Sequence, residues 1–245
     1  DQLSQQLKSG VMGIIEVPIP AINNRQVLVR NHYSVISSGT EGKTVSDARK
    51  GYLAKARSRQ KEVKHVIDLI RTQGLKSTYD LVMNKLEAPS PLGYSCTGEV
   101  LAVSEDITDL KPGDLVACGG QGAYHADIVA VYRNLCVKVS EGTDLKHAAF
   151  TTVGSVALQG IRQADLQVGG NCVVIGLGLI GQLTIQLLNA SGIRSIGIDT
   201  DKNQVQAAIG CGASHAWPRD QEGLEQMVLG ATDGHGTDAV IITAG

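Results

Sequence analysis

Aromatic residues are nearly missing from this chain, which has one Trp, one Phe and six Tyr among 245 residues. Single-stranded nucleic acids stack their bases on aromatic platforms, so this small supply argues against such a partner. A surplus of either charge is missing too: 22 Lys and Arg stand against 24 Asp and Glu, for a formal net charge of −2. With a sequence pI near 6.3 there is no global electrostatic footprint for a polyanion. No apolar run reaches the roughly 20 residues of a bilayer span, and no charged-then-apolar signal opens the chain. These absences point to a soluble protein with no membrane or nucleic-acid partner. Cysteine is sparse and unpatterned: Cys96, Cys118, Cys136, Cys172 and Cys211 are odd in number and form no C-x-x-C pair. This fits a cytoplasmic protein whose thiols are small buried hydrophobes.

Glycine, by contrast, is abundant, and one cluster of it has a telling context. Cys172-Val173-Val174-Ile175 is a short apolar run suited to a strand buried on both faces of a parallel sheet. The turn Gly176-Leu177-Gly178-Leu179-Ile180-Gly181 follows at once. G-x-G-x-x-G arises easily by chance in a chain with 29 glycines, so its flanks carry the argument. Gly176 suits the tight turn, Gly178 lets a pyrophosphate approach the backbone, and Gly181 lets the next helix pack on the strand. That helix, with Ile180, Leu183, Leu187 and Leu188 at helical spacing, should end near Gly192. Its N-terminus offers free N–H groups and a positive dipole end to a diphosphate. Ser195-Ile196-Gly197-Ile198 reads as the next strand. Asp199 ends it, eighteen positions after Gly181, where a carboxylate can accept both hydroxyls of an adenosine ribose. A 2′-phosphate would meet Asp199 and Asp201 with only Lys202 to offset them, which favours NAD over NADP. The plainer alternative is a glycine-rich turn with no ligand.

Before residue 150 the texture is different. Val27–Arg30, Gly98–Val103, Asp114–Cys118, Asp127–Val131 and Leu135–Val139 are short strand-like pieces set off by glycine and proline, as in a compact, partly barrel-like β domain. Between them, from Lys43 to about Glu87, lies a helical, basic insertion. Val63, Val66, Ile67 and Ile70 form one apolar stripe, and Leu75, Tyr79, Val82 and Leu86 another. Half of the Lys and Arg fall here, against five acidic residues. It reads as a solvated face covering the β domain, or as a surface for an anionic substrate or partner. The α/β segment begins near Asp144 with a helix over 145–164. Parallel strands follow at 172–175, 195–198, briefly near 214–216, and at 239–243. Thr243 lies past the last of these, at the carboxyl edge where doubly wound sheets bind ligands. Such folds normally use about six strands. With no methionine at Asp1, this count suggests part of a longer protein with an open apolar sheet edge.

The order of Gly39-Thr40-Glu41, Leu92-Gly93-Tyr94, Gly98-Glu99-Val100, Lys111-Pro112-Gly113-Asp114-Leu115-Val116 and the Gly176 turn resembles the medium-chain dehydrogenase/reductase superfamily. The strings Leu92-Gly93-Tyr94-Ser95, Ala123-Tyr124-His125-Ala126-Asp127 and Phe150–Gly160 are similar to bi-domain oxidoreductases, in which such a dehydrogenase is fused to a sugar-dehydrogenase-like domain of the Gfo/Idh/MocA type. The resemblance implies an α/β chain: a GroES-like catalytic domain over 1–148 with an insertion at about 43–87, then an NAD-binding Rossmann doubly wound parallel sheet over 149–245, incomplete after strand four. It also implies a fused C-terminal domain beyond this chain; a homo-oligomer stays open.

Zinc members of that superfamily place Cys before Gly-Thr-Asp and a His-Glu pair after a glycine. Here Ser38 precedes Gly39-Thr40-Glu41, and Tyr94-Ser95 follow Gly93. Neutral hydroxyls are poor zinc ligands, and Cys118 is followed by Gly119-Gly120-Gln121-Gly122 with no further thiols nearby, so no zinc is expected; an unusual site of Glu41, Cys96, Cys118 and His125 is the alternative. Without a metal, a hydroxyl or imidazole must polarise the carbonyl or alcohol during hydride transfer. Tyr94 and His125 are the candidates; a packed tyrosine and a structural histidine are the competing readings. Thr151 and Thr152 resemble the segment that holds the nicotinamide ring. The other histidines show no nucleophile or metal spacing. Three functions stay open: a zinc-independent NAD-linked oxidoreductase acting on an alcohol or carbonyl of a small molecule such as a sugar derivative; an enoyl- or quinone-type NAD(P)H reductase; and a non-catalytic dinucleotide-binding module of a fused protein.

Overall fold

A computed structural model describes residues 1–6, 9–37, 39, 41–42, 68 and 70–244. The chain divides into two compact units, Asp1–Ala149 and Phe150–Gly245.

The first unit is built on antiparallel strands. Its larger sheet has the order β7 (Ile128–Tyr132), β3 (Gln26–Ser34), β5 (Ser95–Val103), β6 (Leu115–Gly119) and β8 (Cys136–Lys138). Val27 and Val29 are fully buried while Arg30 is exposed, the period-two pattern of a half-buried sheet. Facing residues Val100, Val116, Val129 and Val131 complete the core. Each such side chain contributes about 1.5–3 kcal/mol on full burial. A second sheet joins β2 (Met12–Ile15), β1 (Gln2–Gln6) and β4 (Pro89–Pro91), three strands that the sequence patterns do not announce.

β3 and β5 approach closely where Asn31 pairs with Gly98. A Cβ on Gly98 would lie 2.0 Å from the Arg30 carbonyl oxygen, and this neighbour is backbone. Gly98→Ala is therefore expected to destabilise this unit by about 1–3 kcal/mol. Thermal unfolding checks this, and an unchanged Tm would show that the strands yield freely.

The helix expected over 145–164 is two helices. α2 (Leu145–Ala148), so numbered after α1 (Leu75–Glu87), ends before Ala149, and α3 (Thr151–Gln163) begins after Phe150. The cause lies in a distant segment: Ser95 Oγ donates to the Ala149 carbonyl at 2.6 Å, which a continuous helix would offer to its own N–H four residues on. Thr97 Oγ1 anchors α2 similarly, donating to the Leu145 carbonyl at 3.0 Å. In α1 the expected apolar stripe does not bury: Leu75 and Tyr79 are exposed, whereas Thr78 is buried with its hydroxyl on the Gly74 carbonyl. The Leu86 side chain, and Val63, Val66 and Ile67 of the other stripe, lie outside the described residues.

The second unit is the parallel sheet expected from the sequence, in the order β11 (His215–Pro218), β10 (Arg194–Asp199), β9 (Asn171–Ile175) and β12 (Ala239–Ile242). Cys172, Val173 and Val174 are buried, as a strand covered on both faces requires. One face packs on α3, α4 (Leu179–Ala190) and α5 (Lys202–Gly210) through Ile161, Ile185, Leu188 and Ala208. The other packs on α6 (Leu224–Ala231) through Leu224 and Val228. The sheet therefore reverses direction of growth at β9 and β12, and such a reversal is where doubly wound sheets take ligands.

Candidate active site

At that switch point sits the glycine turn. Gly176 has φ +92, a left-handed backbone that only glycine adopts cheaply, and its N–H donates to the Ile198 carbonyl at 2.8 Å. A Cβ on Gly181 would stand 2.0 Å from the Gly176 carbonyl oxygen, so this glycine lets α4 lie against the turn. The buried face of α4 is consequently Gly181, Thr184, Ile185 and Leu188, one position round from the expected stripe, with Ile180, Leu183 and Leu187 half-buried. Gly178 differs from both: nothing lies within 4 Å of where its Cβ would be, and no side chain caps α4. The first turn of α4 thus keeps its N–H groups for an anion.

Three side chains hold the turn. Asp199, ending β10, accepts the Leu177 N–H on Oδ2 at 2.5 Å and the Asp201 N–H on Oδ1 at 2.8 Å. Partial burial opposes its ionisation, but N–H groups of Asp201, Leu177 and Thr200 outweigh this and hold the carboxyl below its usual value. Its remaining lone pairs suit ribose hydroxyls. Gln182 Nε2 donates to the Leu177 carbonyl at 2.9 Å and the Gln204 carbonyl at 3.0 Å, tying turn to α5. Thr243 Oγ1 donates to the Gly176 carbonyl at 2.5 Å, so its hydroxyl proton supports the turn. Lys202 is exposed at the start of α5, where Asp201 caps the helix through the Asn203 N–H. Thr152 stands half-buried in the first turn of α3. These residues and spaces fit an adenine dinucleotide.

In the first unit, the segment after β4 brings Tyr94 and His125 into one neighbourhood. Leu92 accepts the His125 N–H at 2.8 Å, and Gly93, at φ +100, has no room for a Cβ because the His125 N would lie 2.6 Å away. The carbonyl of Tyr94 accepts the Gly120 N–H, and its phenol makes no hydrogen bond among the described residues. His125 is otherwise: Nδ1 meets Ser34 Oγ at 2.8 Å and Nε2 meets Glu41 Oε2 at 2.8 Å. Neither ring nitrogen is left to touch a substrate directly. Asn31 Nδ2 pins the loop on either side by donating to the Tyr124 and Ala126 carbonyls at 3.0 and 2.7 Å.

The Ser95 hydroxyl is committed to Ala149, and Ser38 lies outside the described residues. Cys96, Cys118 and Cys136 sit side by side in the core of the larger sheet. The Cys136 thiol 3.5 Å away and burial push the Cys118 thiol up, against the thiolate a metal requires. Among the described residues no three His, Cys, Asp or Glu are grouped to hold a metal ion.

No family model matches the chain. D-guloside 3-dehydrogenase of Escherichia coli (strain K12) is 30% identical over 155 residues, covering 63% of this chain and 44% of that protein. An alcohol dehydrogenase of Thermus sp. ATN1 matches 100% of this chain and 70% of its own at TM-score 0.75 and 21% identity. Escherichia coli quinone oxidoreductase complexed with NADPH matches 95% of this chain and 63% of its own at TM-score 0.71 and 16% identity. Over nearly its whole length the chain shares the fold of these dehydrogenase and quinone oxidoreductase structures. It spans about half the length of the curated relatives it matches. Sequence reasoning picks out the glycine turn and Asp199 but misses Gln182, Asn31 and Ser34, whose contacts join distant segments. Glu41 was visible as part of a motif, with nothing nearby in sequence to reveal its imidazole partner. Among the described residues no helix is long and apolar enough to cross a membrane.

Proposed function

We propose that this chain is the β domain and coenzyme-binding part of a zinc-independent, NAD-linked oxidoreductase that exchanges hydride with an alcohol or carbonyl of a sugar or polyol. One observation carries the coenzyme: the Asp199 carboxylate is held against the glycine turn by the Leu177 N–H, beside the open space over Gly178. Residues 176–181 would hold the diphosphate and Asp199 the adenosine ribose, with Lys202, Thr152 and Thr243 around them. NAD, when bound, supplies the hydride acceptor. Tyr94, its phenol unengaged among the described residues, is proposed as a hydrogen-bond donor to the substrate oxygen, and the His125 ring, held by Ser34 and Glu41, acts through those partners. Similarity to D-guloside 3-dehydrogenase supports the sugar class. The fused sugar-dehydrogenase-like domain belongs to the same reading, as does a cytoplasmic setting for five cysteines that form no disulfide among the described residues. Reduction of a conjugated C=C bond with NADPH is the second reading, supported by the likeness to quinone oxidoreductase; the charge of Asp199 disfavours a 2′-phosphate.

Fluorescence titration of the full chain with NADH and NADPH tests the coenzyme, and an equal or stronger response to NADPH would transfer support to the second reading. Binding without turnover on any alcohol or carbonyl would favour a non-catalytic module. For the metal, the purified protein is expected to carry well under about one tenth of an equivalent of zinc and to keep its activity in excess chelator. One tightly held equivalent, with activity lost on its removal, would overturn the zinc-independent assignment.

A further inference from the structure

Both oxygens of Glu41 are fixed. Oε1 accepts the Ser37 N–H at 2.9 Å and Oε2 faces His125 Nε2, with the Glu41 and His125 side chains only 11% and 8% exposed. An ionised carboxylate can only accept hydrogen bonds, so Nε2 carries the ring proton. In the neutral ring that leaves Nδ1 as the acceptor and Ser34 Oγ, at 2.8 Å, as the donor. In that form every link points the same way, from the serine hydroxyl inward to the carboxylate. The outer end is accessible: Ser34 is exposed and lines a groove of about 280 Å³ with Leu3, Asn31 and Tyr33. Asn31 Oδ1 is buried without a partner among the described residues. The amide of the same Asn31 prevents the His125 loop from drifting off the serine.

We infer that Ser34, His125 and Glu41 form a proton relay in which the Ser34 hydroxyl exchanges a proton with an alcohol bound in this groove. The substrate class rests on the oxidoreductase reading above; the direction of the relay rests on the hydrogen bonds alone. As the O–H bond of the alcohol breaks, its proton bonds to Ser34 Oγ, and the original Ser34 proton passes to His125 Nδ1. The products are an alkoxide and an imidazolium facing Glu41. One proton has moved inward and no electron has changed owner, so carbonyl reduction runs the same path in reverse. Ser34 is the group that meets substrate, whereas His125 and Glu41 act through it as positioning residues. This gives the imidazole a part in the chemistry although neither of its nitrogens is free.

Nitrogen-15 spectra of the histidine side chains of the full chain read the tautomer directly, with no turnover needed. At neutral pH, His125 is expected as the Nε2–H form with Nδ1 accepting, and Glu41→Gln is expected to introduce the Nδ1–H form. An Nδ1–H ring in the unmutated protein would overturn the relay. Ser34→Ala, at an exposed position, is expected to lower kcat for alcohol oxidation by about 100-fold with unchanged NADH affinity and loss of the solvent isotope effect, and Ser34→Thr to restore most of it. Turnover of Ser34→Ala within twofold of the parent would sink the relay alone. No turnover by the unmutated protein on any alcohol or carbonyl would sink the oxidoreductase reading and the relay's substrate with it.

Discussion

Replacing Gly178 with alanine should weaken NADH binding by about 10- to 100-fold and leave the fold standing, whereas Gly181→Ala should damage the fold itself. The two glycines are three residues apart in one turn, but their surroundings are opposite. At Gly178, φ −67 and ψ −164 are open to any residue, and no atom lies within 4 Å of the new Cβ. The stability cost is confined to a poorer helix N-cap, below about 1 kcal/mol. The methyl, however, occupies the space through which the diphosphate approaches the N-terminus of α4. Losing one charge-assisted hydrogen bond costs about 1.5–3 kcal/mol, which sets the expected factor. At Gly181 the new Cβ would meet the Gly176 carbonyl oxygen at 2.0 Å and its carbon at 2.9 Å, both backbone. Helix or turn must shift, at about 1–3 kcal/mol. Fluorescence titration paired with thermal unfolding separates the outcomes; parental NADH affinity in Gly178→Ala would remove the diphosphate from this turn.

Asp199→Ala should lower NADH affinity by about 10- to 100-fold while leaving NADPH affinity level or higher, so that discrimination collapses. The carboxylate tethers Leu177, and in the proposed reading it also accepts from the ribose, so the substitution removes both. A 2′-phosphate a few ångströms from Asp199 suffers a repulsion of about 1–4 kcal/mol per pair of unit charges at surface-like dielectric, and the substitution relieves it. Titrating both coenzymes against the variant checks this, and unchanged discrimination would move the selectivity elsewhere. The pH dependence follows in sign. The folded-state pKa lies below the ordinary 3.8, so the stability that this carboxylate contributes is fully present above the unfolded value. It disappears only as pH falls through the lower folded value. NADH affinity should therefore be flat in this respect from about pH 5 to 8.

The coenzyme turn is legible in the sequence because its parts are local. An apolar run, three glycines, a helix and a terminal acid follow one another within 28 residues, and each constrains the backbone where it stands. Even so, the helix stripe is displaced by one position, because close approach at Gly181 turns α4 toward the strand in a way that hydrophobicity alone cannot register. The division of the 145–164 helix is illegible for a similar reason: the breaking agent is the Ser95 hydroxyl, fifty-four residues before the carbonyl it captures. Glu41 and His125 meet across 84 residues, and Ser34 and His125 across 91. A sequence pattern reports what neighbours along the chain do to one another; these pairings are products of the β-sheet register.

The bond from Leu177 to Asp199 holds the turn through the protein's own groups, and this bears on kinetics. A turn already tethered to β10, with Gln182 holding its other side, has little left to organise when a nucleotide arrives. Capture should then proceed without an ordering delay, and adenine nucleotides of differing affinity should separate by their residence times.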